Sequence, residues 1–251
     1  MAGHSKWANI RHKKAKEDLK RAKIFTKIIR EITIAAREGG GNPEGNARLY
    51  LAIENAKGAN LPKDKIQRAI DSATGKGNQE NYVGVSYEGY GPGGVAYFVE
   101  GSSDNINRTV GEVRHIFTKH GGKMGENGSV SYLFEQKGEI RFETELEDEW
   151  AMMEMASDYL IDVRFEEGVG IVVTSRDEMT KVKKVFEENG FTIQSADLIR
   201  IPLNTVETEE ENHELNYEMF SKFEENMDIS SVFWNLAEKD EFKAKYYYGE
   251  S

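Results

Sequence analysis

With 251 residues, 38% of them hydrophobic and 31% charged, the chain is long enough for two or three small packed domains and too apolar for a disordered one. It has no cysteine, which excludes a disulfide framework, a thiolate zinc site and a cysteine nucleophile. The formal net charge of −11 conceals a division: residues 1–78 hold 17 Lys/Arg against 8 Asp/Glu, and residues 79–251 hold 16 against 36. A basic head on an acidic body points to a polyanion-binding segment joined to modules with another task.

The head reads as helices. Between residues 15 and 36 the apolar positions Ala15, Leu19, Ala22, Phe25, Ile28, Ile29, Ile32 and Ala36 follow a 3.6-residue repeat, with Ile24 at the edge of that face. Gly39-Gly40-Gly41 ends the run. A second helix starts at Asn42-Pro43 or Asn46 and closes at Gly58. A third has Pro62 in its first turn, carries Ile66, Ala69 and Ile70, and closes near Gly75. Residues 1–77 are therefore expected to form a helical basic domain with an exposed N-terminal arm, GHSKWANIRHKK.

The pattern then changes. Runs at 83–90 and 94–101 around GYGPGG predict a hairpin. A helix follows from about Asn105 to His120, with Ile106, Val110, Val113 and Phe117 on one face, and then a short strand at 129–134. A second set begins with a strand at 139–143 and a helix at 147–160 packing Trp150, Met153, Ala156 and Leu160. Strands at 161–166 and 169–174, a helix at 177–189 and a strand at 191–201 complete a βαββαβ order. A strand near 203–207, a helix near 210–225 and a strand at 229–236 supply what the first set lacks. The expected division is 1–77, a discontinuous α/β domain of 78–134 plus 203–236, an inserted α/β domain of 135–202, and a tail of 237–251 containing Tyr246-Tyr247-Tyr248.

Charge is most concentrated at residues 3–30, where ten Lys/Arg face only Glu17 and Asp18. Lys13, Lys16, Lys20, Lys23, Lys27 and Arg30 recur at spacings of three and four and form one stripe, almost opposite the apolar face. Lys6, Arg11, Lys14 and Arg21 add charge, and Trp7 could stack on a base or pin the arm to the helical domain. A solvated surface helix normally mixes signs, whereas a row of cations suits the phosphates of a nucleic-acid strand. An anionic membrane is a weaker rival, because the Ala/Ile-rich face can be used in a core. No apolar run approaches the ~20 residues of a membrane span, and the Lys-rich N-terminus without an apolar centre reads as mature, cytoplasmic protein.

Chemistry is not legible. The clusters GGGNPEGN, ATGKGN and GYGPGG lack the strand–loop–helix setting of a phosphate loop, since Lys76 is not followed by Ser or Thr. The five histidines have no zinc spacing, and the acidic run 207–214 suits the start of a helix. No nucleophile elbow or framed carboxylate pair is present. No catalytic residue, metal or cofactor is expected.

Several long blocks carry a family likeness. GHSKWANIRHKK, AKIFTKIIREITIAAREGGGNPEGNARLYLAIENAKGANLPKDKIQRAI, YEGYGPGGVAYFVE, SDNINRTVGEVRHIFTKHGGKMGENGSVSYLF and LIRIPLNTVE resemble the YebC family, in the family's order. After about residue 208 the likeness thins, and MDISSVFWN stands where the family usually has a segment of the type DDVQNVYHN. The resemblance implies an α+β fold, a helical N-terminal domain followed by two ferredoxin-like α/β sandwich domains, one of them discontinuous. It implies a non-enzymatic DNA-binding transcriptional regulator. Related members, including the mitochondrial translational activator of cytochrome oxidase, act on ribosomes and assist synthesis of difficult stretches such as consecutive prolines.

The resemblance also marks 103–109 and 121–130 as candidate functional loops. Asn105, Asn107, Arg108 and Thr109 would either offer donors to an anion at a helix start or serve plain capping and turn formation, and Arg114, Lys119, His120 and Lys123 would extend a second polar face. The expected partner is nucleic acid, either DNA or ribosomal RNA on the ribosome, with no membrane. A protein-interaction scaffold using the acidic modules is the remaining alternative.

Overall fold

The structure is a computed structural model and describes residues 4–75, 81–145, 148–156, 158–166, 168–239 and 242, with backbone alone for 4–20. The terminal Tyr246-Tyr247-Tyr248 lie outside the described residues. The chain forms a helical unit of 1–80 and an α/β unit of 81–251.

The described residues of the helical unit form α1 (His4–Gly39), α2 (Ala47–Gly58) and α3 (Lys63–Thr74). The expected arm is not a separate element: its backbone is the first part of α1, which runs 36 residues without a break. No Gly or Pro stands between Ser5 and Glu38, so nothing interrupts the ladder. Ile32, Ala35 and Ala36 of α1 are buried against Leu49, Ala52 and Ala56 of α2 and Ile66, Ala69, Ile70 and Ala73 of α3, with Phe25, Ile28 and Ile29 packed at the margin. Ala22, assigned to the apolar face from its spacing, is exposed.

Asn46 ties the first two helices together. Its Oδ1 accepts from Leu49 N–H at 3.1 Å, capping α2, while its Nδ2 donates to the Ala35 and Gly40 carbonyls at 2.7 and 2.8 Å. Arg48 reaches back to Glu31 and Glu38 of α1 at 2.7 and 2.6 Å.

The α/β unit contains two antiparallel four-stranded sheets. The first comprises β1 (Val83–Tyr90), β2 (Ala96–Ser103), the two-residue β3 (Lys123–Met124) and β8 (Ile229–Trp234), in the order β3-β1-β2-β8. The hairpin β1–β2 is its centre, with Val83 opposite Ser103 and Tyr90 opposite Ala96. Helices α4 (Ile106–Lys119) and α7 (Glu210–Glu225) cover one face. Tyr97, Val113, Phe117, Tyr217, Phe223 and Trp234 form the core between them. Phe242 also enters this core, stacked 5.6 Å from Tyr217, so the segment after 236 is not wholly a detached tail.

The second sheet lies between β3 and α7 in the sequence. It comprises β4 (Phe134–Glu143), β5 (Leu160–Glu166), β6 (Val169–Ser175) and β7 (Ile193–Pro202), in the order β5-β6-β4-β7. With α5 (Glu149–Ala156) and α6 (Met179–Glu188) this is the βαββαβ arrangement with its first and third strands central. Its core includes Phe142 and Phe186, whose rings are 4.7 Å apart. Between the two sheets, Arg200 of β7 pairs with Glu100 of β2 at 3.0 Å and lies 3.8 Å over the Phe98 ring.

Four local expectations are corrected. The strand expected at 129–134 is a 3₁₀ turn, Ser131–Leu133, leading into β4. β4 starts at Phe134 because β7 pairs along its whole length, from Pro202 opposite Phe134 to Ile193 opposite Phe142. The helix expected at 147–160 is only α5. Met152 and Ala156 point inward one turn apart, Trp150 is 84% exposed, and Leu160 opens β5. The strand near 203–207 reduces to a single bridge between Val206 and Leu236.

Candidate nucleic-acid interface

α1 places the cations. At 1.5 Å per residue it is about 54 Å long, and its first half is the most basic part of the molecule. In helical projection Lys13, Lys16 and Lys20 continue the line of Lys23, Lys27 and Arg30, whereas Arg11, Lys14 and Arg21 fall on the opposite side. The side chains of Lys6, Trp7, Arg11, Lys13, Lys14, Lys16 and Lys20 lie outside the described residues.

The described end of the stripe differs from a solvated row. Arg21 is exposed, but Lys23, Lys27 and Arg30 are half-buried, and Lys23 Nζ and Arg30 Nε are shielded from solvent. Ile34, one turn further along the same line, is 2% exposed. The outward face of α1 therefore stops being a free cationic surface towards Arg30. Period alone could not show this, because it locates a face without saying what covers it.

In the α/β unit the two candidate loops separate into structural and exposed residues. Asn105 caps α4, its Oδ1 accepting from Arg108 N–H at 3.1 Å. Arg108 Nη2 donates to Asp228 and Asp104 at 2.6 and 2.7 Å. Those hydrogen bonds, led by that to Asp228, hold the guanidinium's pKa above its ordinary value. Thr109 is buried, bonded to Ser103 Oγ and donating to Asp228, both at 2.6 Å. Asp228 is 5% exposed, and through it the buried Thr109 and the still exposed Arg108 join the start of α4 to the start of β8.

His120 is also internal, with Nδ1 2.8 Å from the Ile116 carbonyl. Asn107, Arg114, His115, Lys119 and Lys123 remain exposed. They mark a smaller cationic face on α4 and the loop after it.

That loop is held from beneath by a residue the sequence did not single out. Glu88 of β1 is 5% exposed. Its Oε1 accepts from Gly128 N–H at 2.7 Å, and its Oε2 accepts from Val130 and Ser131 N–H at 2.6 and 2.8 Å. Burial alone would raise the pKa, but the three N–H donors and the charge of Arg200 outweigh it and hold the carboxyl below its usual range. The visible signal was the acidic residue alone in a β-rich run beside YGPGG. Its meaning depended on a loop forty residues away.

Among the described residues no cluster of three or more His, Cys, Asp or Glu could hold a metal ion, and no helix is long and apolar enough to cross a membrane.

Two family descriptions match almost end to end. Residues 5–76 match the TACO1/YebC protein N-terminal domain, and residues 82–236 match the TACO1/YebC second and third domain. The chain belongs to the TACO1/YebC family. Among its relatives is a probable transcriptional regulatory protein of Syntrophus aciditrophicus, 50% identical over 98% of this chain and 99% of that protein. A protein of the same description from Pseudomonas putida is 44% identical over 96% of this chain and 98% of its own length. A solved structure described as a conserved hypothetical protein from Aquifex aeolicus is similar, with a TM-score of 0.81 and 43% identity. It covers 90% of this chain and 94% of that one. The α+β architecture is thus common to this TACO1/YebC chain and a solved neighbour.

Proposed function

We propose that this chain is a non-enzymatic, nucleic-acid-binding regulator of gene expression of the YebC type, a DNA-binding transcriptional regulator. The name borne by its relatives supports the regulatory reading. The observation that carries the nucleic-acid reading is the first half of α1, a continuous helix with cations on both sides in a chain of net charge −11. Such a helix tracks phosphates through charge and gains affinity by releasing counterions. Lys6, Arg11, Lys13, Lys14, Lys16, Lys20 and Arg21 are its proposed contacts, with Trp7 available for stacking. Lys23, Lys27 and Arg30 contribute less because they are half-buried. Arg114, Lys119 and Lys123 form an auxiliary face. The acidic unit comprises a discontinuous module, 78–134 plus 203–236, around an inserted module, 135–202, and the protein works in the cytoplasm.

A second reading is a ribosome-associated factor that binds ribosomal RNA and relieves stalls at proline-rich stretches. It is favoured by residues 79–251, whose 36 acids against 16 cations would be repelled along a long duplex but tolerated where only one end meets RNA. Pelleting of the protein with ribosomes through a sucrose cushion, with duplex DNA as competitor, distinguishes the two. A transcriptional regulator stays in the supernatant once DNA is added, whereas a ribosome-bound factor pellets despite it. A chain that binds neither would support the scaffold reading and overturn both.

A further inference from the structure

We propose that the open edge of β1 is a docking site for an extended peptide segment of another protein, which adds as a strand and lays an apolar side chain into the adjoining groove at every second position. β2 pairs with β1 along its full length, but on the other side β3 covers only Gly89 and Tyr90. On that side the Glu88 carbonyl accepts from Gly125 N–H at 2.8 Å. Backbone groups two residues apart on a strand point the same way, so the N–H and C=O of Ser86 and Gly84 face the side that β3 leaves open. Among the described residues no backbone group pairs with them. Natural sheet edges are guarded by a Lys, a Pro or a bulge, and Val83-Gly84-Val85-Ser86 has none.

Beside this edge lies a groove of about 390 Å³, lined in part by Val85 and Tyr87 of β1, Ile106 and Val110 of α4, and Met124 and Asn127 of the following loop. Ile106, which lines the groove, is 53% exposed, and Val83 at the start of the same open edge is 41% exposed. Around Gly84 the space where a Cβ would project is empty, which lets another backbone approach closely. Tyr87 is 7% exposed and its hydroxyl has no hydrogen-bond partner among the described residues. Burial, and secondarily the charge of Asp228, push its pKa up, so it remains a proton donor.

These features select the occupant. Outward N–H and C=O pairs at alternate residues match an extended backbone and not a helix. No charged residue lines the groove, so it suits apolar side chains and offers nothing to a phosphate. The test is titration of the isotope-labelled full chain with the acetylated, amidated peptide KVTVTVK, followed by NMR and hydrogen exchange. The expected result is shifted amide signals at Gly84 and Ser86 and about 10-fold slower exchange at Ser86. Ser86→Pro and Ile106→Glu should each weaken binding about 10-fold. Ser86→Pro removes an N–H on the open side and leaves the β2 ladder intact; if that variant does not fold, Ile106→Glu and the exchange rate of the unsubstituted chain decide. Absence of shifts at millimolar peptide, or binding that Ile106→Glu leaves unchanged, would overturn the proposal. So would a sedimentation-equilibrium dimer that the same substitution abolishes, which would give the edge to a second copy of this chain.

Discussion

Glu88 shows how one side chain can set the shape of a loop distant in sequence. Its carboxylate accepts three backbone N–H groups, and an amide in its place would turn an NH₂ towards at least one of those donors. Glu88→Gln should therefore destabilise the protein by about 1–3 kcal/mol and speed hydrogen exchange at Gly128, Val130 and Ser131, as read by urea unfolding and exchange NMR. The pH dependence follows from the lowered pKa. The folded protein binds this proton less tightly than the unfolded chain, so the carboxylate's contribution is complete above about pH 4.3 and is lost as the pH falls through the lower folded value. Glu88→Gln should flatten that part of the acid-unfolding curve. An unchanged curve would remove Glu88 from the loop's support.

Asp228 and Asn46 work in the same way. Asn46→Ala loses a helix cap and two bonds to carbonyls near the end of α1, and should cost about 1–2 kcal/mol in thermal or urea unfolding. The sequence offers Asn42-Pro43 or Asn46 as the point where a helix restarts after the glycines, and Asn46 is the residue that caps α2. Sequence reading could not anticipate Asp228, whose partners Arg108 and Thr109 lie more than a hundred residues earlier. Arg108 reads from the sequence either as a donor to an anion or as part of a plain helix cap, and in the fold its exposed guanidinium bridges Asp104 and Asp228.

At the scale of elements, legibility follows the strength of the local signal. α3, α4 and, from the later of its two expected starts, α2 begin and end within one or two residues of their expected bounds, because glycines, a proline and capping residues mark the ends. β4 could not be delimited from its own residues. Its first three residues, Phe134 to Gln136, pair with β7 and not with β6. For α5 the sequence suggests a buried face of Trp150, Met153 and Ala156; Ala156 is buried, but Met152 takes the place of Trp150 and Met153. Trp150→Ser should accordingly change stability by no more than about 0.5 kcal/mol, while Met152→Ala should cost about 2–5 kcal/mol in the same unfolding assay. Equal losses at the two positions would contradict a helix phase that turns Met152 inward and Trp150 to solvent.

For the whole molecule, order along the chain and order in the sheet diverge. β8 returns after the entire second sheet to pair with β2, with Trp234 opposite Tyr97 and Ile229 opposite Gly101. The incomplete element order of 78–134 made that return legible. Hydrophobic pattern could not show which edge β8 would join or that β1 would keep an open side. Charge was the clearest long-range signal in the sequence. Its division at about residue 78 falls within two residues of the boundary between the two structural units.

The direct test of the basic helix is the salt dependence of nucleic-acid binding, measured by fluorescence anisotropy for the natural chain and for a variant with Lys13, Lys16 and Lys20 replaced by Glu. Lys23 and Arg30 are left intact because their shielded atoms make them part of the fold. If six or more phosphates are engaged, affinity should fall by about 10³ between 50 and 200 mM salt, and the variant should lose most of its binding with unchanged unfolding behaviour. Binding that the three substitutions leave intact, with an unchanged salt slope, would contradict a phosphate-tracking role for α1.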